Sequence, residues 1–154
     1  KLLLLFAALA VLYLSEAKPA DPATLSNSTF FKDLVKLLKD KKPKTFPEIA
    51  KAVCFAGYCH FKDKDTCGSA CETYANLPFL PITGEKEISD PPSNVNDCVT
   101  ECVGRVQNAA DATVACNVLC TVDFSYPNRA EWVKDIKQGA ADFKKFASEL
   151  HLYN

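Results

Sequence analysis

Apolar positions along this chain recur mostly in steps of three and four. From Thr29 onward, Phe31, Leu34, Val35 and Leu38 fall on one face, with Lys32, Asp33, Lys36 and Lys39 between them. That spacing predicts an amphipathic helix. It ends at Lys39-Asp40-Lys41-Lys42-Pro43, where cations suit the last turn and proline cannot continue the helix. A second helix opens at Thr45-Phe46-Pro47-Glu48. Thr45 can cap it, Pro47 fits a first turn, and Glu48 stands three residues on, as in a capping box. Ile49, Val53 and Cys54 then share a face, and Gly57 is a plausible exit. Asp65 or Thr66 can cap a short third helix over Cys67–Asn76.

Pro78, Pro81, Gly84, Pro91 and Pro92 punctuate the next stretch, which predicts a long irregular loop over residues 77–97. From Cys98 to Val122 there is no proline and one glycine, Gly104, so the segment reads as helical. Tyr126-Pro127-Asn128 breaks it, and Asn128 with Glu131 repeats the capping-box signature. A last helix carries Trp132, Val133, Ile136, Ala140, Phe143, Ala147 and Leu150 at helical steps. No segment alternates as a strand would. The expected fold is all-α, a disulfide-stapled bundle of five or six helices.

The N-terminus departs from this pattern. Leu2 to Leu14 is an unbroken apolar run behind Lys1, followed by small residues at Ser15 and Ala17. Such a run is too short for the roughly 30 Å hydrocarbon core of a membrane. It has the form of a signal peptide over residues 1–17, with a single domain over 18–154. On a secreted chain, Asn27-Ser28-Thr29 is a glycosylation sequon at Asn27.

Eight cysteines agree with an oxidising destination. They fall as Cys54-x4-Cys59-x7-Cys67-x3-Cys71 and Cys98-x3-Cys102-x13-Cys116-x3-Cys120. Residues four apart on a helix point the same way, so each such pair needs partners on a facing helix. Two antiparallel helices would then pair Cys98 with Cys120 and Cys102 with Cys116. The upstream set would pair Cys54 with Cys71 and Cys59 with Cys67. A rival geometry makes residues 98–122 one helix with all four cysteines on one stripe, bridged to the upstream four. Two alanines between Asn108 and Asp111 favour continuity, whereas ordinary helix length favours a hairpin. The Cys98–Cys120 stretch resembles the helical-hairpin disulfide peptides of venoms and seeds; that resemblance implies a nested-disulfide hairpin and carries no functional residue. Zinc is disfavoured because the pairs lack C-x2-C knuckles and histidine is scarce.

The chain has 154 residues, 48% of them apolar and 24% charged, with a formal net charge of −1. That composition excludes disorder and a polybasic nucleic-acid binder. Charge is nonetheless segregated. Residues 28–66 hold nine lysines against five acids, and residues 67–131 hold three basic residues against nine acids. Only His60 and His151 could act as a base near neutral pH. No nucleophile elbow, metalloprotease helix, EF-hand spacing or phosphate loop appears. The expectation is therefore a non-enzyme without cofactor or metal.

Three surfaces could bind. Lys36, Lys39, Lys41 and Lys42 make the first helix cationic, suited to an acidic partner or an anionic membrane surface. Phe79 and Leu80 lie in the apolar, proline-broken run Leu77–Ile82, which either covers the core or contacts a partner. Phe31, Phe46, Phe55, Phe79, Phe124, Trp132, Phe143 and Phe146 could line a cavity for a small hydrophobic ligand. The expected function is surface recognition of an extracellular macromolecule, as in a toxin-like effector, pheromone or modulator. The alternatives are carriage of a small lipid and a membrane-active host-defence role through residues 30–42.

Overall fold

In a computed structural model that describes residues 26–80 and 91–149, the chain forms six helices. They are α1 (Thr29–Lys41), α2 (Phe46–Gly57), α3 (Thr66–Ala75), α4 (Val95–Val103), α5 (Ala109–Ser125) and α6 (Arg129–Glu149). The fold is all-α, and four disulfides staple its helices. The leader expected over residues 1–17, residues 81–90 of the long loop, and His151 all lie outside the described residues.

Polar side chains set the helix starts by taking amides that have no intrahelical acceptor. Ser28 Oγ accepts from Phe31 N at 3.1 Å. Thr45 Oγ1 accepts from Glu48 N at 3.4 Å, but the Glu48 carboxylate reaches back to Lys44 N rather than to Thr45 N, at 2.7 Å. The predicted capping box is thus shifted by one residue. At α3 neither expected cap acts through its side chain. Asp63 Oδ1 instead accepts from the amides of Asp65 and Thr66, at 3.1 and 3.0 Å.

The irregular loop is shorter than 77–97, because Asn94 opens α4 by accepting from Asp97 N at 2.8 Å. Val95 to Asp97 are therefore helical. Residues 98–122 do not form one helix. Gly104 caps α4, and Asn108 Oδ1 accepts from Ala110 N at 3.1 Å to begin α5. Asn108 is thus the N-cap of α5.

Two hairpins result, α2/α3 and α4/α5, and each carries two nested bridges. Cys54–Cys71 joins α2 to α3, Cys59–Cys67 joins the turn between them to α3, and Cys98–Cys120 and Cys102–Cys116 join α4 to α5. The hairpins meet where α3 packs on α5. There Tyr74 donates to the Cys102 carbonyl at 2.7 Å. The core between them holds all eight cysteines with Tyr58, Tyr74, Val106, Ala112, Ala115 and Leu119.

No bridge reaches α1 or α6, which hold on by packing. Phe30, Phe31, Leu34, Val35 and Leu38 are all buried, against α2 and α6. Burying a side chain of this size contributes about 2 kcal/mol. The apolar face of the cationic helix is thus spent in the protein's own core. Asp135 of α6 accepts from Thr29 N and Phe30 N at 2.9 and 2.6 Å, placing a carboxylate at the positive end of α1. The helices approach so closely that a Cβ on Gly139 would stand 2.6 Å from Ser28 Oγ.

Candidate binding sites

The segregated charge gathers in one place. An open groove of about 670 Å³ runs between the end of α1, the α1–α2 turn and the exposed sides of α2 and α3. Half-buried Leu37, Ala52 and Phe55 give it an apolar lining, and Lys41, Lys42, Lys44, Lys51 and Lys64 surround them against Glu48 and Glu72. Lys42 shapes one end. It sits in the left-handed region at φ 47° and closes α1 by donating from its amide to the Leu38 carbonyl at 3.0 Å.

Two of these lysines stand where local stability would not put them. Lys44 precedes Thr45, the cap of α2, and Lys64 precedes Asp65, the cap of α3. A cation at a helix N-terminus opposes the macrodipole, at a cost of roughly 0.3–1 kcal/mol. The groove therefore gathers five lysines, two of them beside helix starts that Thr45 and Asp63 already cap. Both glutamates already have local work: Glu48 holds the Lys44 amide, and Glu72 pairs with Lys51 at 3.3 Å across the α2/α3 face.

Of the lysines singled out from sequence, Lys41 and Lys42 line this groove, whereas Lys36 and Lys39 are exposed on α1 outside its lining. Sequence reading missed Lys44, Lys51 and Lys64. All three belong to the nine lysines of residues 28–66, and Lys44 and Lys64 were recognisable as cations placed just before caps.

Phe79 and Leu80 lie elsewhere. The residues before the undescribed part of the loop are clipped to the α4–α5 turn, with Gln107 N donating to the Pro78 carbonyl and Leu80 N to the Arg105 carbonyl, each at 2.8 Å. The half-buried Phe79 ring meets Tyr74 and Phe46 edge-on, at 5.3 and 5.9 Å. Phe79 thus covers the core, and Leu80 remains 45% exposed. Phe46, expected in the interior, lies at the surface. Asn27 is exposed beside the buried Ser28.

A second concavity, of about 70 Å³, opens between the end of α2, α4 and α6. Arg105 and Arg129, the only arginines in the chain, both line it. Arg129 is engaged through two of its nitrogens and one face. Its Nε donates to Asp123 at 3.1 Å, its Nη2 donates to the Pro92 carbonyl at 3.2 Å, and its guanidinium lies 3.6 Å over the Phe124 ring. Asp123 also meets His60 Nε2 at 2.7 Å. The His60 ring is stacked between Tyr126 and Trp132, at 4.0 and 4.8 Å. His60 and Phe61 both have left-handed backbones, at φ 51° and 60°, held by this stacking and by the Asp123 contact. The buried His60–Asp123 pair, 63 residues apart in sequence, is a clamp between the α2 exit and α5.

Arg105 is less well served. Its Nη1 donates to Tyr58 Oη at 3.0 Å, but the Glu101 carboxylate is 3.9 Å from Nη2. Its Nε is buried and has no hydrogen-bond partner among the described residues. Burial opposes the Arg105 charge, yet the neighbouring Tyr58, Tyr74 and Glu101 outweigh it and push the pKa up. Burial, helped by Tyr58, likewise pushes Tyr74 far above the ordinary tyrosine value.

Cys59, Cys67 and Cys71 bring their sulfurs within 4.8 Å of one another, but all are oxidised in bridges and are not thiolate ligands. No helix of the described residues is long and apolar enough to cross a membrane. No protein-family model matches the chain, and neither the curated proteins nor the solved structures contain a match.

Proposed function

We propose that this chain is a secreted, non-enzymatic binding protein that recognises an acidic, partly apolar segment of an extracellular protein in the lysine groove. The observation that carries this reading is the convergence of five lysines on an apolar-lined groove. Two of those lysines oppose the helix dipoles beside them, so folding alone gives no reason for their position. Four bridges suit an oxidising compartment. Asn27, exposed just ahead of α1, is where a glycan would sit.

The carrier alternative draws less support. The concavity beside Trp132 measures about 70 Å³, against roughly 300–1,000 Å³ for pockets that enclose small-molecule ligands, and the 670 Å³ groove is open and ringed by lysines, which suits an acidic segment better than an enclosed lipid. A membrane-active first helix would have to withdraw Phe30, Phe31 and Leu34 from the core.

The test is titration of a fluorescein-labelled peptide alternating glutamate and leucine, beside a lysine–leucine counterpart. The acidic peptide should bind and weaken with salt, because screening shortens to about 8 Å at physiological ionic strength. Changing Lys41, Lys42, Lys44 and Lys64 to Gln should weaken it roughly tenfold or more, at a few tenths of a kcal/mol or more per exposed pair. Equal binding of both peptides, or no loss in the fourfold variant, would refute the reading.

A further inference from the structure

We infer that the Arg105 cleft is a second binding site, separate from the lysine groove, for the carboxylate of a small acid with an apolar body. A guanidinium offers two edges that match a carboxylate, and the Nε/Nη2 edge does so with two parallel N–H donors. In Arg105 this is the edge left without a close acceptor. Nε has none among the described residues, and Nη2 stands 3.9 Å from Glu101, beyond hydrogen-bond distance, with the Tyr74 hydroxyl also beside the guanidinium. The other side of the group is fixed by Nη1 donating to Tyr58 Oη. Leaving a buried charged donor unsatisfied is costly, so native proteins seldom do it without a purpose.

The surroundings define the ligand. Arg105 and Arg129 lie on the cleft wall with Trp132, Val133, Ile136 and Pro92, which offer apolar contact. Arg129 is occupied by Asp123 and the Pro92 carbonyl and serves to hold that wall. The cation available to a ligand is therefore Arg105. Glu101 is its competitor: the Glu101 side chain is 35% exposed and beyond hydrogen-bond distance, so an incoming carboxylate can take Nη2 as Glu101 turns to water, and it gains the buried Nε only as the wall there opens. About 70 Å³ accommodates a carboxylate and a short apolar stem, with the remainder of the ligand leaving through the open mouth.

Trp132, the only tryptophan in the chain, lines the cleft and reports on it. The experiment titrates sodium acetate, butyrate and hexanoate at constant ionic strength while following tryptophan emission. Butyramide and butylammonium chloride are the controls, and acetyl-leucine stands in for a peptide terminus. The carboxylates should give a saturable change that the amide and the cation do not. Butyrate binding tighter than acetyl-leucine assigns the cleft to free small acids, and the reverse order assigns it to a chain terminus; either order sustains a carboxylate site. Arg105→Lys keeps the charge but loses the two-donor edge, and should weaken binding roughly tenfold. Glu101→Gln lies on a partly exposed side chain, leaves Tyr58 in place, and should tighten binding severalfold. No saturable change in either the wild type or Glu101→Gln would overturn the proposal. So would equal response to butyramide, or a crystal structure grown with butyrate in which Glu101 itself bridges Nε and Nη2.

Discussion

The nested bridges of the α4/α5 hairpin predict a definite departure from additivity. Cys102–Cys116 spans 14 residues in sequence and Cys98–Cys120 spans 22. If each acted alone, the chain-entropy relation would give about 3.0 and about 3.4 kcal/mol of stabilisation. They do not act alone. Once the inner bridge is closed, the outer one closes only a ring of about ten residues around it, for about 2.7 kcal/mol more and about 5.7 kcal/mol in total. Changing Cys98 and Cys120 to Ala should thus cost about 2.7 kcal/mol, and changing Cys102 and Cys116 about 2.3 kcal/mol. Changing all four should cost about 0.7 kcal/mol more than those two losses together, because each bridge partly duplicates the other's restriction of the unfolded chain. Alanine is the right replacement, since these sulfurs are buried and a serine hydroxyl would be left without a partner. The assay is urea unfolding of the three variants without reductant, with the α2/α3 bridges intact. At roughly 4 °C per kcal/mol, either single deletion should also lower Tm by about 10 °C. A single deletion that left stability within about 1 kcal/mol of the wild type would refute the reasoning. So would a fourfold variant no less stable than the weaker of the two others.

Other predictions follow from single sites. Gly139→Ala gains up to about 1 kcal/mol of helix propensity but drives a methyl against Ser28 Oγ; overpacking at about 1–3 kcal/mol should prevail, and calorimetry should show a lower Tm. Burial holds the Tyr74 hydroxyl protonated well past the ordinary tyrosine value of 10.0. Its contribution to stability is full below that value and is lost as pH rises above it, because the unfolded chain then releases a proton that the folded chain retains. Urea unfolding across alkaline pH should show a steeper loss in the wild type than in Tyr74→Phe. Asp123→Asn leaves Arg129 and His60 without their shared carboxylate and should cost roughly 1–3 kcal/mol by urea unfolding, with a shift in Trp132 emission as the stacked rings loosen.

The parts of this fold legible in the sequence were those fixed by local periodicity. Cysteines four apart on a helix must look toward a facing helix, so spacing alone suggested the nested pairing. Thr45, Gly57 and the lysines ending α1 were readable as helix punctuation. Asn94 was not read as the cap of α4, because the prolines around it argued for a loop. Asn108 can end or begin a helix, and only the chain's path around Gly104 decides between them. Phe30 was passed over although it is fully buried, because α1 buries two adjacent aromatic residues where the simple repeat shows one. The cleft was beyond sequence reading. Arg105 follows a helix end with no motif around it, and its neighbours Tyr58, Asp123 and Trp132 come from three other elements.

The position of the groove relative to the bridges has a mechanical consequence. One wall is the disulfide-tied α2/α3 hairpin, where Cys71 itself borders the groove. The other is the end of α1, which no bridge touches and which is seated by its apolar face, by Asp135 at its N-terminus and by close approach at Gly139. A cross-linked wall thus faces one held only by packing and hydrogen bonds. Packed helices can shift by an ångström or so without unfolding, whereas cross-linked pairs resist such shifts. The seating of α1, on α6 as well as on α2, can therefore bear on the width of the groove. Substitutions at Gly139 or Asp135 should change affinity for the acidic peptide even though neither residue lines the groove, while loss of the Cys98–Cys120 bridge should change stability far more than binding.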